Sequence, residues 1–319
     1  RTTRQCCELL GFLGGAVLAY VLVAIAQVLR QGTVAQQKGE LGLSLLREQL
    51  KAASALRARR EQERLLWNGT RKFRVDRKVH EAEGVCSFYF VPHDRKPLPL
   101  FKPGQFLTFR LNIPGHDRPV IRCYSLSCGP NPDYYRITVK RVPDGRASNF
   151  LIDHIEEGAI IDCQSPRGDF VLDPLGVRPA ILIAGGVGIT PFTSMLDAVA
   201  RFGQGRELTL FYALQNRAQH ALRDEIQKLV DANQNFQVVN VYSRPDETDR
   251  EGVDFDVQGR VGVELFKKML PSNNFEYYIC GPSQMMDSVI EQLREWGVPE
   301  SNIFAEAFGA RSVKAIGEH

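Results

Sequence analysis

AILIAGGVGITPF, residues 180–192, is the stretch that decides the fold. It opens on an unbroken apolar run, as in a parallel strand covered on both faces. Gly185, Gly186 and Gly188 follow, and then Thr190 and Pro191, which suit a helix start with Thr as the cap. Glycines let a phosphate approach the backbone, and the free N–H groups and dipole of a helix start stabilise its charge. The spacing departs from G-x-G-x-x-G, so on this stretch alone a purely structural tight turn stays open.

Downstream, strand-like runs at 180–186, 207–214, 236–243, 276–280 and 302–307 alternate with helical patterns near 191–202, 218–231, 262–269 and 283–296. Such alternation spells a doubly wound parallel sheet of five strands. The glycine loop is then its first strand-to-helix turn, where dinucleotide pyrophosphates bind. Upstream the texture differs. Short alternating runs at 73–80, 85–91, 105–111, 120–127, 134–141 and 159–165 are separated by PGQ, GPNPD and PDG turns. Six strands with one helix, expected to open at Ser148-Asn149 after the Gly145 turn, suggest a small antiparallel barrel. Asp173-Pro174-Leu175-Gly176 is the natural boundary between the two.

Residues 9–29, LLGFLGGAVLAYVLVAIAQVL, carry no charge. As a helix they would reach about 31 Å, enough for a hydrocarbon core. Ala24-Ile25-Ala26 also resembles a signal-peptide cleavage site, so a cleaved leader is the alternative. More Lys/Arg follows the span than precedes it, which puts the body on the cytoplasmic side of a cell membrane. Cys6-Cys7 at the membrane edge are either acylated or ordinary thiols. Residues 40–67 are rich in helix formers, with Leu43, Leu46, Leu50 and Ala53 at helical spacing, and Asn68-Gly69 closes the segment as a turn. A helical stalk is expected, against anionic lipid or a partner helix. The expected organisation is an anchor at 1–30, a stalk or linker at 31–69, a barrel at 70–175 and a sheet domain at 176–319.

Composition narrows the function. The 319 residues are 44% hydrophobic with a net charge of +3, ordinary for a globular protein and too weakly basic for nucleic acid. Residues 1–66 hold ten Lys/Arg against five Asp/Glu, so the basic excess belongs to the leader. Seven cysteines, an odd number without a Cys-x-x-Cys pair or a Cys/His cluster, argue for buried reduced thiols. A disulfide framework, a zinc site and an iron–sulfur cluster are not expected.

Three further segments carry chemistry. In Arg122-Cys123-Tyr124-Ser125-Leu126-Ser127, strand alternation puts Arg122, Tyr124 and Leu126 on one face. Cys280-Gly281-Pro282-Ser283 is a strand end turning into a helix, and Glu306-Ala307-Phe308-Gly309 lies near the C-terminus. Together RCYSLS, TVKRVPDGRASNFL, PRGDF, GGVGITP, CGPSQMM and AEAFG occur in the order and spacing of the ferredoxin–NADP reductase superfamily, over residues 71 to 310. The resemblance extends to the reductase modules of flavohaemoglobins and bacterial oxygenase reductases.

The resemblance implies an α/β two-domain reductase, a Greek-key barrel for FAD followed by the parallel sheet for NADH or NADPH. By the family pattern Arg122 pairs with the FAD pyrophosphate, Tyr124 lies against the flavin ring and Ser125 hydrogen-bonds near its reactive nitrogen. Val139 and Lys140 line the flavin, and Gly145 and Ser148 begin the helix that holds FAD phosphate. Gly185, Gly186, Gly188 and Thr190 hold the nicotinamide nucleotide. Cys280 and Gly281 flank the hydride path, with Glu306 near the nicotinamide and Phe308 on the opposite flavin face. The catalytic set is then Ser125, Cys280 and Glu306, and no metal is needed. The implied activity passes hydride from NAD(P)H to FAD, then single electrons to a ferredoxin, iron–sulfur or haem acceptor on another chain or a further segment. Ser243-Arg244, with Arg217 and Arg223, resembles a 2′-phosphate site, whereas YSRPDE and FDVQGRV resemble NADH-preferring flavohaemoglobin modules, which favours NADH. A non-catalytic flavin-sensing or assembly subunit of a membrane complex, and a flavin reductase releasing its product, are the alternatives.

Overall fold

A computed structural model describes residues 49, 53, 57, 60–203 and 205–308. The chain falls into two units, Arg1–Glu63 and Arg64–His319. In the first, residues 49, 53, 57 and 60–63 are helical, and Arg57 Nε donates to Glu61 Oε1 at 3.2 Å. The expected membrane span at 9–29, the Cys6-Cys7 pair and Leu43, Leu46 and Leu50 lie outside the described residues. Among the described residues no helix is long and apolar enough to cross a membrane.

The second unit begins with an antiparallel barrel. Its strands are β1 (Arg71–Ala82), β2 (Val85–Pro92), β3 (Phe106–Leu111), β4 (Val120–Ser125), β5 (Tyr135–Lys140) and β6 (Ile160–Cys163), with helix α1 (Arg146–His154) between the last two. They lie in the order β4-β3-β6-β1-β2-β5, so β6 returns between β1 and β3 in the manner of a Greek key. A bridge between Leu126 and Ile137 joins the end of β4 to β5 and closes the barrel. Alternation explains the core: Phe73 and Val75 point inward from β1 while Arg74 and Asp76 stay exposed. A register shift between Val75 and Arg77 then interrupts that period. Trp67 packs on this barrel, its ring nitrogen donating to the Cys163 carbonyl at 3.1 Å.

The parallel sheet follows, with β7 (Ala180–Gly185), β8 (Leu208–Leu214), β9 (Phe236–Tyr242), β10 (Val257–Gln258), β11 (Glu276–Gly281) and β12 (Ile303–Ala307). Its order is β10-β9-β8-β7-β11-β12. Helices α2 (Ile189–Phe202) and α3 (Arg223–Asp231) cover one face through Phe192 and Ile226. On the other face α4 (Val263–Met269) and α5 (Ser283–Glu295) contribute Phe266 and Val289. The sheet is therefore doubly wound, and the chain reverses direction of winding beside β7, the position where such sheets bind ligands.

Three expectations need correction. The sheet has a sixth strand, β10, too short for its two residues to show a period. Thr190 does not cap α2: Gly188 is the cap residue, and the Thr190 hydroxyl donates back to the Val187 carbonyl at 3.2 Å. Helix α1 opens at Arg146, with Gly145 at its cap, two residues before Ser148. Of the described cysteines, Cys86, Cys128, Cys163 and Cys280 are buried free thiols, whereas Cys123 on β4 is exposed.

Candidate active site

Gly185, Gly186 and Gly188 form the end of β7 and the single 3-10 turn after it. Gly186 has φ +55°, a left-handed conformation that glycine adopts without steric cost. At Gly188 a Cβ would lie 2.2 Å from the Cys280 carbonyl oxygen, and at Gly281 one would lie 2.9 Å from the Gly185 Cα. The ends of β7 and β11 thus meet backbone to backbone, which brings Gly185, Gly188, Cys280 and Gly281 into one cluster. Lys140 joins it from the barrel, its Nζ 3.9 Å from where a Gly186 Cβ would stand and donating to Gln219 Oε1 at 3.2 Å. Burial holds the Lys140 ammonium below its usual range.

Glu306 completes this cluster, opposite Cys280 in the β11–β12 register. Its carboxyl is buried, Oε2 has no hydrogen-bond partner among the described residues, and desolvation pushes its pKa up to about 7. Burial, and then the Glu306 charge, push the Cys280 thiol well up, so it stays protonated. A carboxyl poised near neutrality can hold a proton or release one without large cost.

On β4 the Arg122 guanidinium is exposed and, among the described residues, bonds only the carbonyl of Ile121. Tyr124 sets its ring edge-on against Phe109, and burial pushes its phenol up to about 12. Ser125 is buried and its hydroxyl has no partner among the described residues. Val139 belongs to the barrel core. Gly145 and Ser148 meet at the start of α1, where the Ser148 hydroxyl donates to the Gly145 carbonyl at 3.3 Å and accepts from the Val142 N–H at 3.2 Å. A Cβ at Gly145 would fall 2.5 Å from that hydroxyl. Phe308, 41% exposed, ends the described chain and makes no ring contact among the described residues.

An unpartnered buried hydroxyl on the same strand as an exposed guanidinium and a half-buried phenol suits FAD, whose ring and pyrophosphate would supply hydrogen-bond partners. The glycine-lined end of β7 suits a nucleotide phosphate. The residues at the far end of the sheet are tied up differently. Asp254, 1% exposed, lies within 3.1 Å of Arg223 and 3.6 Å of both Arg217 and Arg250. The Ser243 hydroxyl donates to the Leu214 carbonyl at 3.1 Å.

Comparison with known proteins agrees with this geometry. Residues 72–172 match the oxidoreductase FAD-binding domain and residues 182–291 the oxidoreductase NAD-binding domain. The FAD/NAD-binding domain of nitric oxide dioxygenase from Vibrio cholerae is 32% identical with a TM-score of 0.68, covering 75% of this chain and 98% of that one. The chain belongs to the FAD- and NAD-binding oxidoreductases of the ferredoxin reductase type.

Phthalate dioxygenase reductase, whose structure is described as modular for electron transfer from pyridine nucleotides to [2Fe-2S], is 29% identical with a TM-score of 0.60 over 77% of this chain and 70% of that one. A flavohemoprotein of Halalkalibacterium halodurans is 37% identical over 249 residues, 76% of this chain. The oxidoreductase covers only 61% of that relative's length. Its two domains make it an NAD(P)H-dependent FAD oxidoreductase module.

Sequence reasoning missed two features of this oxidoreductase. One is the buried His220, whose Nδ1 lies 2.8 Å from the Tyr242 hydroxyl. The other is Arg136, which bonds Glu225 across 89 residues. Neither belongs to a local motif, because each pairs residues far apart in the chain.

Proposed function

We propose that this oxidoreductase passes reducing equivalents from NADH to FAD and then singly to a ferredoxin, iron–sulfur or haem protein, while residues 9–29 tether it to a cell membrane. The observation that carries the reading is the buried Ser125 hydroxyl, left without a partner on the strand that also bears Arg122 and Tyr124. Such a group costs about 1–3 kcal/mol when unsatisfied, a cost that a bound acceptor removes.

FAD, when bound, supplies the hydride acceptor and the one-electron donor, which no side chain can provide. The protein supplies the rest. Arg122 offers two parallel N–H groups to a pyrophosphate, and Ser148 with Gly145 shapes the start of α1 for a phosphate. Tyr124 and Phe308 offer faces to the flavin ring, and Lys140 closes its edge, whereas the Val139 side chain is spent on the barrel core. The bare backbone of Gly185, Gly186, Gly188 and Gly281 lets the nucleotide lie close to β7 and β11, where Thr190 stands in the first turn of α2. Cys280 excludes water and Glu306 holds a proton beside the nicotinamide. Asp254 occupies Arg217 and Arg223, which supports NADH over a nucleotide with an additional phosphate.

The charge-free run at 9–29 supports the tether, and the basic residues after it support a body on the cytoplasmic side. A tether raises the effective concentration of a membrane-bound acceptor. An anaerobic titration of the detergent-purified chain, following flavin absorbance against NADH and then NADPH, tests the reading. Near-stoichiometric bleaching by NADH is expected. Bound FAD that neither nucleotide reduces would overturn it in favour of a flavin-sensing or assembly role.

A further inference from the structure

The barrel and the parallel sheet meet along the outward side of β5. Tyr135, Ile137 and Val139 of that strand enter the barrel core. Arg136, Thr138 and Lys140 alternate with them and point the other way. Thr138 shares hydroxyl hydrogen bonds of 2.8 Å with both Ser87 and Ser127, and Lys140 reaches Gln219 beyond β8.

Arg136 makes the heaviest link. Its guanidinium donates to the Ser127 carbonyl and, at 3.2 Å, to the Ser127 hydroxyl. It also donates to the Tyr89 hydroxyl at 3.2 Å. The other edge forms a two-pronged pair with Glu225 at 2.5 and 2.8 Å. Ser127 lies two residues beyond Ser125, and Glu225 sits in the first turn of α3. One planar cation therefore joins the strand end beside the unpartnered Ser125 hydroxyl to a helix of the nucleotide lobe.

A buried ion pair is weak evidence for a stabilising role. Burial works against the Arg136 charge, and the Glu225 carboxylate more than offsets that effect. Apolar residues of similar volume often fill such a space at least as favourably. What a guanidinium fork adds is a fixed distance and angle between the groups it bridges.

We propose, on the basis of the reductase activity above, that Arg136 and Glu225 are a positioning pair that sets the nucleotide lobe against the flavin strand for hydride transfer. They act through Ser127 and α3. Errors of about 1 Å in such a setting cost up to about a hundredfold in rate.

The test uses the full FAD-loaded chain reduced anaerobically over a range of NADH concentrations. Three variants are compared with the parent: Glu225→Gln, the double Arg136→Met/Glu225→Leu, and the control Asp224→Asn, which removes an exposed charge from the same helical turn. The double variant leaves no buried charge unpaired, so it is expected to fold where the single one fails. In both pair variants the limiting rate is expected to fall by about tenfold or more. The long-wavelength charge-transfer absorbance of reduced flavin with oxidised nucleotide should weaken in parallel. FAD content and the apparent NADH dissociation constant should stay within about twofold of the parent, as should every property of the control. Without flavin, amide exchange in the first turn of α3 should accelerate in the pair variants only.

A double variant with the parental limiting rate and charge-transfer band overturns the proposal alone. So does a rate loss matched by a proportionate loss of bound FAD, because the pair would then merely hold the fold. A parent whose flavin neither nucleotide reduces overturns the functional reading, and this proposal with it.

Discussion

Glu306 stands opposite Cys280 in the parallel register of β11 and β12, a buried carboxyl next to a buried thiol. Desolvation raises the Glu306 pKa from 4.5 to about 7. Below pH 4.5 the carboxyl is protonated in folded and unfolded chains alike. Between there and pH 7 the unfolded chain gives up its proton first, so stability falls as pH rises, by up to about 3 kcal/mol in all. Glu306→Gln is expected to remove that loss, raising the urea midpoint at pH 8 while leaving it nearly unchanged at pH 4.5.

His220 works in the opposite direction. Burial pushes its pKa from 6.5 down to about 3, and the ring stays neutral against the Tyr242 hydroxyl. Above pH 6.5 it is neutral in both states. As pH falls below that value the unfolded chain binds the proton first, and stability drops by about 1.4 kcal/mol per unit. Over pH 4.5–6.5 the His220 and Glu306 slopes oppose each other, so their combined contribution to the parent profile is nearly flat. His220→Gln should expose a stability that falls as pH rises across that window, and Glu306→Gln one that rises, both measured by urea unfolding.

Much of this was legible because the relevant signals are local. The apolar run at 180–184 and the glycines after it mark a buried strand and a tight turn within a few residues. The alternation of Phe73, Val75 and their polar neighbours marks a barrel strand buried on one face in the same way. What was not legible depends on residues distant in the chain. The backbone approach of Gly188 to Cys280 joins segments 92 positions apart, and the Arg136–Glu225 pair joins segments 89 apart. Thr190 looked like a cap because its residue type suits one, but the 3-10 turn at Gly186–Gly188 starts the helical winding earlier and gives the cap position to glycine. The Glu306 pKa has no sequence signature at all, since it comes from burial on a strand end.

Ser125→Ala should separate stability from function. The hydroxyl is buried and unpartnered, so removing it relieves an unsatisfied group and should stabilise the flavin-free protein by about 1 kcal/mol. In the FAD-loaded protein the same change should slow bleaching by NADH by about tenfold or more. Thermal unfolding without flavin and stopped-flow reduction with it give the two readouts. A destabilised flavin-free variant would show that Ser125 serves the fold instead.

Gly186 and Gly188 are two residues apart yet should respond very differently to alanine. Gly186 lies at φ +55°, and the nearest atom to an added Cβ is the flexible Lys140 Nζ at 3.9 Å. Gly186→Ala therefore meets backbone strain but no clash, a cost of about 1–2 kcal/mol. Gly188 has ordinary helical dihedrals, so strain is not its constraint. A Cβ there would stand 2.2 Å from the Cys280 carbonyl oxygen and 2.9 Å from the Gly281 Cα, both backbone atoms held within the sheet. Gly188→Ala must therefore push β11 away from the turn after β7, at a cost of about 3 kcal/mol or more. Urea unfolding should rank Gly188→Ala well below Gly186→Ala. Because that displacement separates the two strand ends proposed to hold the nucleotide, NADH affinity should fall in Gly188→Ala even where folded protein is recovered.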